Sequence, residues 1–316
     1  MKLTKKEIEK VAEEFDLGEV ISVKYLEGGM INYIFTFKTN KGNFIVRKLG
    51  YKLNDWWKLK KELEFSVLEF LKKEKFSYPI PLFIKNKKGG YILKIGKNLF
   101  EVYPMMNGKI VSKLNQKQLM EAIKALALYH KKIKNYGPKN KFMMSDRLNW
   151  ILSEYGKMRE NKTNNNLNGL MLENLTFFED LLKKLIKIKF TTNLLVTHAD
   201  FGRHNILWEK NKITGILDFE NVSYRPKSFD ISILLRKLIS NKQRKLAVNR
   251  YRKFNPLSKK EENQIIILRL IHLCSIFKWI YQDMDKRPDL KEKFFIETIT
   301  ETKRLAKQLE SSNSTN

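Results

Sequence analysis

The sequence predicts an α+β fold in two lobes, and three observations carry that expectation. Residues 19–49 and 82–103 break into short β-rich runs punctuated by Gly, Asn and Pro. After Met105 the apolar spacing becomes helical. Two strand-like stretches then interrupt the helical half, LLVTHAD (194–200) and NILWEKNKITGILDF (205–219), with a polar loop between them. We therefore expect a small antiparallel-sheet lobe with one helix over residues 1–103 and a linker near 101–108. A larger, mainly helical lobe should fill 104–310, and a frayed tail 311–316.

Taken in order, Thr4 caps a helix over 4–16 in which Ile8, Val11, Ala12 and Phe15 recur at helical spacing, ended by Leu17-Gly18. Strands follow at 19–27, 32–39 and 43–49. Asn40-Lys41-Gly42 is a hairpin signal, and Gly28-Gly29 marks an earlier break. A helix over 56–73 places Leu59, Leu63, Val67, Phe70 and Leu71 on one face, and Pro79 and Pro81 close it. Strands are expected near 82–85, 90–95 and 99–103. Helices are expected at 115–134, 147–160, 171–188, 228–241, 260–283 and 287–308, with the polar run NKTNNNLNG (161–169) as a loop.

Composition narrows the class. With 316 residues and 42% hydrophobic, the chain has enough apolar material for a core, which excludes wholesale disorder. Cys274 is the single cysteine, so disulfide scaffolds and multi-cysteine metal sites are excluded; it lies in an apolar helix and reads as inert. The four histidines are too scattered for a His-rich metal centre, and His130 and His272 fall on apolar helical faces. The first residues show no apolar signal core. The most apolar stretch, 265–281, is interrupted by Arg269, His272 and Lys278, so it reads as a buried helix and not a membrane span. A cytoplasmic protein with no membrane partner is the expectation. The net charge of +28 raises a nucleic-acid reading. Lysine outnumbers arginine roughly fourfold and is spread along the chain, whereas phosphate readers cluster Arg with aromatics. A solvated lysine-rich surface is the preferred account.

The informative segment is His198-Ala199-Asp200-Phe201-Gly202-Arg203-His204-Asn205, followed by Asp218-Phe219-Glu220. Strand-like pieces bracket it, placing Asp200 and Asn205 on a loop and Asp218 at a strand end. A carboxylate, an amide five residues on and another carboxylate 13 beyond suit phosphoryl transfer. Asp200 can orient an attacking hydroxyl and take its proton. Asn205 and Asp218 can give oxygen ligands to Mg²⁺ bridging nucleotide phosphates. Any Asp-rich loop can match such spacings by chance. Arg203 and His204 lie between base and ligand, where either could reach phosphate or substrate, or could be plain loop residues. No G-x-x-x-x-G-K-[ST] occurs.

These residues resemble the aminoglycoside phosphotransferase, choline kinase and type II homoserine kinase superfamily, distant relatives of protein kinases. The family's H-x-D-x-x-x-x-N motif matches His198, Asp200 and Asn205, and its I-D-F/W-E/D motif matches Leu217, Asp218, Phe219 and Glu220. The resemblance spans about residues 17–305 and includes EGGMINYIF, FIVRKL, ALALYH and Phe229-Asp230. It implies a bilobed, protein-kinase-like fold that uses ATP and Mg²⁺. It also implies that Gly28, Gly29 and Asn32 form the loop over the nucleotide, although a Gly-Gly hairpin turn would look the same. Arg47 would be the strand cation on the phosphates, in place of the commoner Lys, with Lys48 the rival. Glu64 would pair with it, Glu62 being the fallback. Backbone near Glu101, Val102 and Tyr103 would hold adenine. His198 reads as structural, and Asp230 as a helix-capping residue.

H-A-D in place of H-R-D, D-F-E in place of D-F-G and the lack of A-P-E disfavour a protein kinase. The expected reaction moves the γ-phosphate of ATP to a hydroxyl of a small metabolite, of homoserine, amino-sugar or amino-alcohol type. An antibiotic-directed aminoglycoside kinase is the alternative. Asp283, Asp285 and Asp289 would then form an acidic subsite, or simply an exposed helix end. A kinase-like shell that binds RNA or an acidic partner is the reading from another class. The sequence is silent on oligomeric state.

Overall fold

The computed structural model describes residues 2–27, 31–52, 54–137, 145–160, 167–188, 190, 194–236, 241–284 and 288–313. Among them the helices are α1 (Lys5–Glu14), α2 (Asp55–Lys73), α3 (Gln116–Ile133), α4 (Ser145–Glu160), α5 (Asn168–Ile186), α6 (Ser228–Leu234), α7 (Asn241–Arg252), α8 (Lys259–Asp283) and α9 (Pro288–Asn313). The strands are β1 (Val20–Leu26), β2 (Tyr33–Thr39), β3 (Gly42–Lys48), β4 (Leu93–Ile95), β5 (Asn98–Pro104), β6 (Leu195–Thr197), β7 (Ile206–Glu209), β8 (Lys212–Ile216) and β9 (Ser223–Arg225). The chain divides into two compact units, Met1–Asn140 with Gly202–Val222, and Lys141–Phe201 with Ser223–Asn316.

The first unit is built on an antiparallel sheet ordered β1-β2-β3-β5-β4. Helix α1 starts where Thr4 accepts the Glu7 amide and the Glu7 carboxylate accepts the Thr4 amide. Its Val11 and Ala12, with Phe15 and Leu17, pack on Phe35, Phe37, Val46, Phe100 and Val102. Alternation sends the intervening positions of β3 and β5, Ile45, Arg47, Glu101 and Tyr103, to the opposite face. Lys48, on the α1 side, pairs with Glu7 at 2.9 Å. Helix α2 is capped by Asn54 and buries Lys60, Lys61, Leu63, Glu64, Val67, Leu68 and Leu71. Leu59 departs from the expected apolar face and is 44% exposed.

The division differs from the single cut expected at 103/104. Residues 104–140 and the β7–β8 hairpin belong with the sheet because the chain after β5 bonds directly to the hairpin. Lys109 and Trp208 exchange amide bonds of 3.0 and 2.9 Å. Gly108 sits at φ +108, where a Cβ would lie 2.2 Å from Thr214 Oγ1. The expected linker at 101–108 is strand as far as Pro104. The expected strand at 82–85 is irregular backbone tied to β5 by one bond, Ile84 N–H to the Val102 carbonyl at 2.8 Å.

In the second unit α8 packs against α4, α5, α6 and α9. Its Phe277 stacks between Phe178 at 3.9 Å and Phe295 at 4.7 Å. By length and composition α8 could cross a membrane, yet 67% of its apolar window is buried inside this unit, which marks a core helix. The helix expected over 228–241 is shorter, ending at Leu234, and α7 and β9 were not foreseen. The tail expected from 311 is helical to Asn313.

Candidate active site

Five ionisable side chains are buried together in the first unit, on the α2 side of the sheet. Arg47 and Glu101 are direct partners across β3 and β5, and α2 contributes Lys61 and Glu64 one turn apart. Glu220, in the 3₁₀ turn Phe219–Asn221, completes the group. All five are at most 5% exposed. Arg47 lies 2.7 Å from Glu220, 3.5 Å from Glu101 and 3.6 Å from Glu64. Lys61 lies 2.7 Å from Glu64, 2.8 Å from Glu101 and 3.4 Å from Glu220. Two cations thus face three carboxylates. Each removal from water is costly, so the group stands only because every member is paired.

The balance of charge shows in the proton affinities. Burial works against the Arg47 cation, but Glu101, Glu64, Glu220 and Asp218 together hold its pKa well above the ordinary value. Burial pushes the Glu101 carboxyl up, and Lys61 and Arg47 offset only part of that. Burial also opposes the Glu220 charge, yet Lys61, Arg47 and the Asn32 hydrogen bond outweigh it and bring the pKa to about 2. Of these two carboxyls Glu101 is therefore the readier to take a proton.

Glu220 also gathers the polar side chains around it. Asn32 Nδ2 donates to Glu220 Oε2 at 2.8 Å, while Asn32 Oδ1 accepts the Gly50 amide at 3.2 Å. The Tyr51 hydroxyl donates to the same carboxylate at 3.3 Å, its ring stacked on Trp57 at 3.6 Å.

The hairpin β7–β8 determines where the two oxygen donors of the motif stand. The Leu217 amide donates to the Asn205 carbonyl at 2.7 Å. Asn205 thus ends the 3₁₀ turn Arg203–Asn205 at the open end of the hairpin, where Asp218 leaves it. Asp218 adopts φ 61 and ψ 65, a left-handed conformation that Asp tolerates better than most residues and that marks local strain. A carboxylate and an amide oxygen are the hard donors that suit Mg²⁺. Among the described residues no group of three or more His, Cys, Asp or Glu is placed to hold a metal. A cation held here would take its other ligands from phosphate and water. Arg203 Nε donates to the Ser112 carbonyl at 2.6 Å, so part of its guanidinium is engaged in holding the loop.

The second unit carries the His198-Ala199-Asp200 segment, which leaves β6 where it pairs with β9. Both oxygens of Asp230 are used on this segment, accepting the His198 amide at 2.8 Å and the Ala199 amide at 2.7 Å. Ala199 is held at φ 63, a strained value for a residue with a Cβ. The Asp200 amide donates to His198 Nδ1 at 3.3 Å. His198 is fully buried, so its ring is part of the scaffold that orients Asp200.

Several expectations are corrected by this geometry. Asp230 is not a cap: α6 has Lys227 at its N-cap with no side-chain bond, and the Asp230 carboxylate clamps the loop instead. Lys48 belongs to the opposite face of the sheet, and Glu62 is exposed. Glu101, expected to act through its backbone, places its side chain in the buried cluster. Lys61 was missed altogether, because its partners are 40 or more residues distant or hidden in an ordinary KKELE helix pattern. Tyr103 is buried on the Arg47 face, and burial pushes its hydroxyl up to about 12. Gly28 and Gly29 lie outside the described residues, as do the side chains of Asp283, Asp285 and Asp289.

Residues 22–257 match the model of the phosphotransferase enzyme family, and the chain belongs to that family. The resemblance drawn from the His198 and Asp218 motifs is thereby met. No curated protein matches the chain. Among solved structures, an amicoumacin kinase in complex with AMP-PNP and Ca²⁺ is similar at 18% identity and TM-score 0.70, covering 95% of this chain and 93% of that one. A microcompartment-associated aminopropanol kinase is similar at 14% identity and TM-score 0.72, covering 97% and 98%. A choline kinase from Cryptosporidium parvum is similar at 15% identity and TM-score 0.65, covering 96% of each chain. These likenesses are of fold, and they make it the protein-kinase-like fold of this family.

Proposed function

We propose that this phosphotransferase moves the γ-phosphate of ATP to a hydroxyl of a small molecule, using Mg²⁺. The observation that carries the reading is the hairpin closure at Asn205 and Leu217, which brings the motif's amide and its second carboxylate to one end of one element. Asn205 and Asp218 would hold the ion, which when bound would supply positive charge against the phosphates. Arg47, kept ionised by its carboxylate partners, supplies a fixed positive charge on the sheet face. Asp200 orients the acceptor hydroxyl and takes its proton, with Asp230 and His198 holding the backbone that carries it. Arg203 is a candidate contact to phosphate or acceptor through the guanidinium nitrogens not used on Ser112. Backbone near Glu101 and Tyr103 would receive adenine.

An amine-bearing alcohol is the favoured acceptor class. The similar structures include an aminopropanol kinase and a choline kinase, both of whose named substrates are amino alcohols. The test is Mg²⁺-dependent ATP consumption over a panel of homoserine, choline, ethanolamine, aminopropanol, hexosamines and kanamycin, with Asp200→Ala as control. Turnover on one compound, lost by orders of magnitude in the variant, is expected. Salt-sensitive RNA binding with no nucleotide binding would overturn the reading in favour of a non-catalytic shell.

A further inference from the structure

The first unit contains a groove of about 400 Å³ between α2 and the 82–91 segment, and its lining includes none of the residues assigned above to nucleotide, metal or base. That volume falls within the roughly 300–1,000 Å³ of small-molecule sites. Its walls are Phe65, Leu68, Leu82, Phe83 and Tyr91. The rings are fixed from several sides. Phe65 meets Phe83 edge-on at 5.0 Å and Tyr91 at 4.6 Å. Phe83 also meets Tyr103 at 5.2 Å and lies 5.7 Å from the Arg47 guanidinium, while Phe65 lies 5.8 Å from the Lys61 ammonium. Walls braced in this way are ordered in advance, which lowers the entropic cost of binding.

The aromatic walls and the charged rim together define the occupant. A ring placed among Phe65, Phe83 and Tyr91 gains edge-to-face and offset contacts beyond the burial of its apolar area. At the rim Lys72 and Lys73 are exposed, so their ammonium groups can turn to a ligand without giving up a buried position. Glu69 is the one carboxylate in the lining, and it is engaged by Lys85 at 3.6 Å and by the Tyr91 hydroxyl. Two lysines against one glutamate give the lining a formal charge of +1. A monoanion neutralises that charge, whereas a cation adds to it. We propose that this groove binds a small aromatic carboxylate, with its rings among Phe65, Phe83 and Tyr91 and its carboxylate at Lys72 and Lys73. The site does not rest on the reading of Asp200 and Asp218.

The test is calorimetric titration of 2-naphthoate into the full chain at constant ionic strength, with 2-naphthamide and octanoate as comparisons. Saturable one-to-one binding of 2-naphthoate is expected in the parent. The neutral amide should bind at least tenfold more weakly, and octanoate, which keeps the charge and lacks the rings, should also bind more weakly. Lys72→Gln/Lys73→Gln alters only exposed side chains, so it should fold, lose at least tenfold in 2-naphthoate affinity and leave 2-naphthamide affinity unchanged. Tyr91→Leu should weaken both aromatic compounds. ATP affinity should be the same in the parent and the lysine variant, which separates this groove from the phosphate-transfer site. Absence of saturable binding, equal affinity for the amide, tighter binding of octanoate, or equal affinity in parent and lysine variant would overturn the proposal. So would competition between 2-naphthoate and ATP, or a dimer seen by light scattering that Tyr91→Leu disperses, since these assign the ligand to the nucleotide site and the groove to a second copy of the chain.

Discussion

Replacing Lys61 by Met removes one of two cations from a cluster of three carboxylates and takes the local formal charge from −1 to −2. The lysine Nζ makes contacts of 2.7, 2.8 and 3.4 Å. At an effective dielectric near 20 each is worth about 5–6 kcal/mol in gross attraction. Relief of the ammonium's own desolvation cancels much of that sum. The net loss on breaking a buried pair from one side is about 3–5 kcal/mol. We expect urea unfolding at neutral pH, followed by tryptophan fluorescence, to show a loss of that size for Lys61→Met with little change in slope. The sign of its pH dependence also follows from the structure. The Glu101 carboxyl is already raised by burial, and losing Lys61 raises it further. Stability that depends on a raised carboxyl is present at low pH and fades as pH rises through the folded pKa. The deficit of the variant should therefore shrink on acidification. Glu101→Gln in the same background should recover part of it, since the two residues touch. A loss below about 1 kcal/mol at neutral pH, or a deficit that grows on acidification, refutes the reasoning.

Three further outcomes are expected. Glu220, with its pKa brought to about 2 from the usual 4.5, contributes about 3 kcal/mol that is present above the unfolded value and lost as pH falls through about 2. Glu220→Gln should remove that stretch of acid sensitivity from a stability–pH profile, and an unchanged profile would count against the pairing. Asp200→Asn should lower kcat by about 10²–10⁴-fold while ATP binding by titration stays nearly unchanged. A variant that keeps more than a tenth of the activity is incompatible with Asp200 as the base. Asp230→Ala leaves two buried amides unpaired at about 1–3 kcal/mol each, so it should both destabilise the second unit and depress turnover. Hydrogen exchange at the 198 and 199 amides reads this directly, and unaltered protection there would contradict the clamp.

The helices and hairpins were largely legible because their signals are local. Thr4 with Glu7, the Asn40-Lys41-Gly42 turn and the spacing of α3 each specify structure within a few residues. Misreadings fell where the signal was short or split. The 82–85 run has the composition of a strand but is tied to the sheet by the bond from the Ile84 amide to the Val102 carbonyl, and α7 is too polar for its apolar spacing to stand out.

The site divided in the same way. The sequence by itself determined the family, because His198, Asp200, Asn205 and Asp218 sit within 21 residues, where chemistry and spacing can be read together. Only the tertiary structure decided what those residues rest on. Arg47 meets Glu220 across 173 positions and Lys61 meets Glu101 across 40. Asp230 reaches the loop amides from 31 and 32 residues away. Nothing local distinguishes a buried Lys or Asp of this kind from one on a solvated helix face. Their ionisation and roles are set by which charges the fold brings within 4 Å and by the water that it removes from between them.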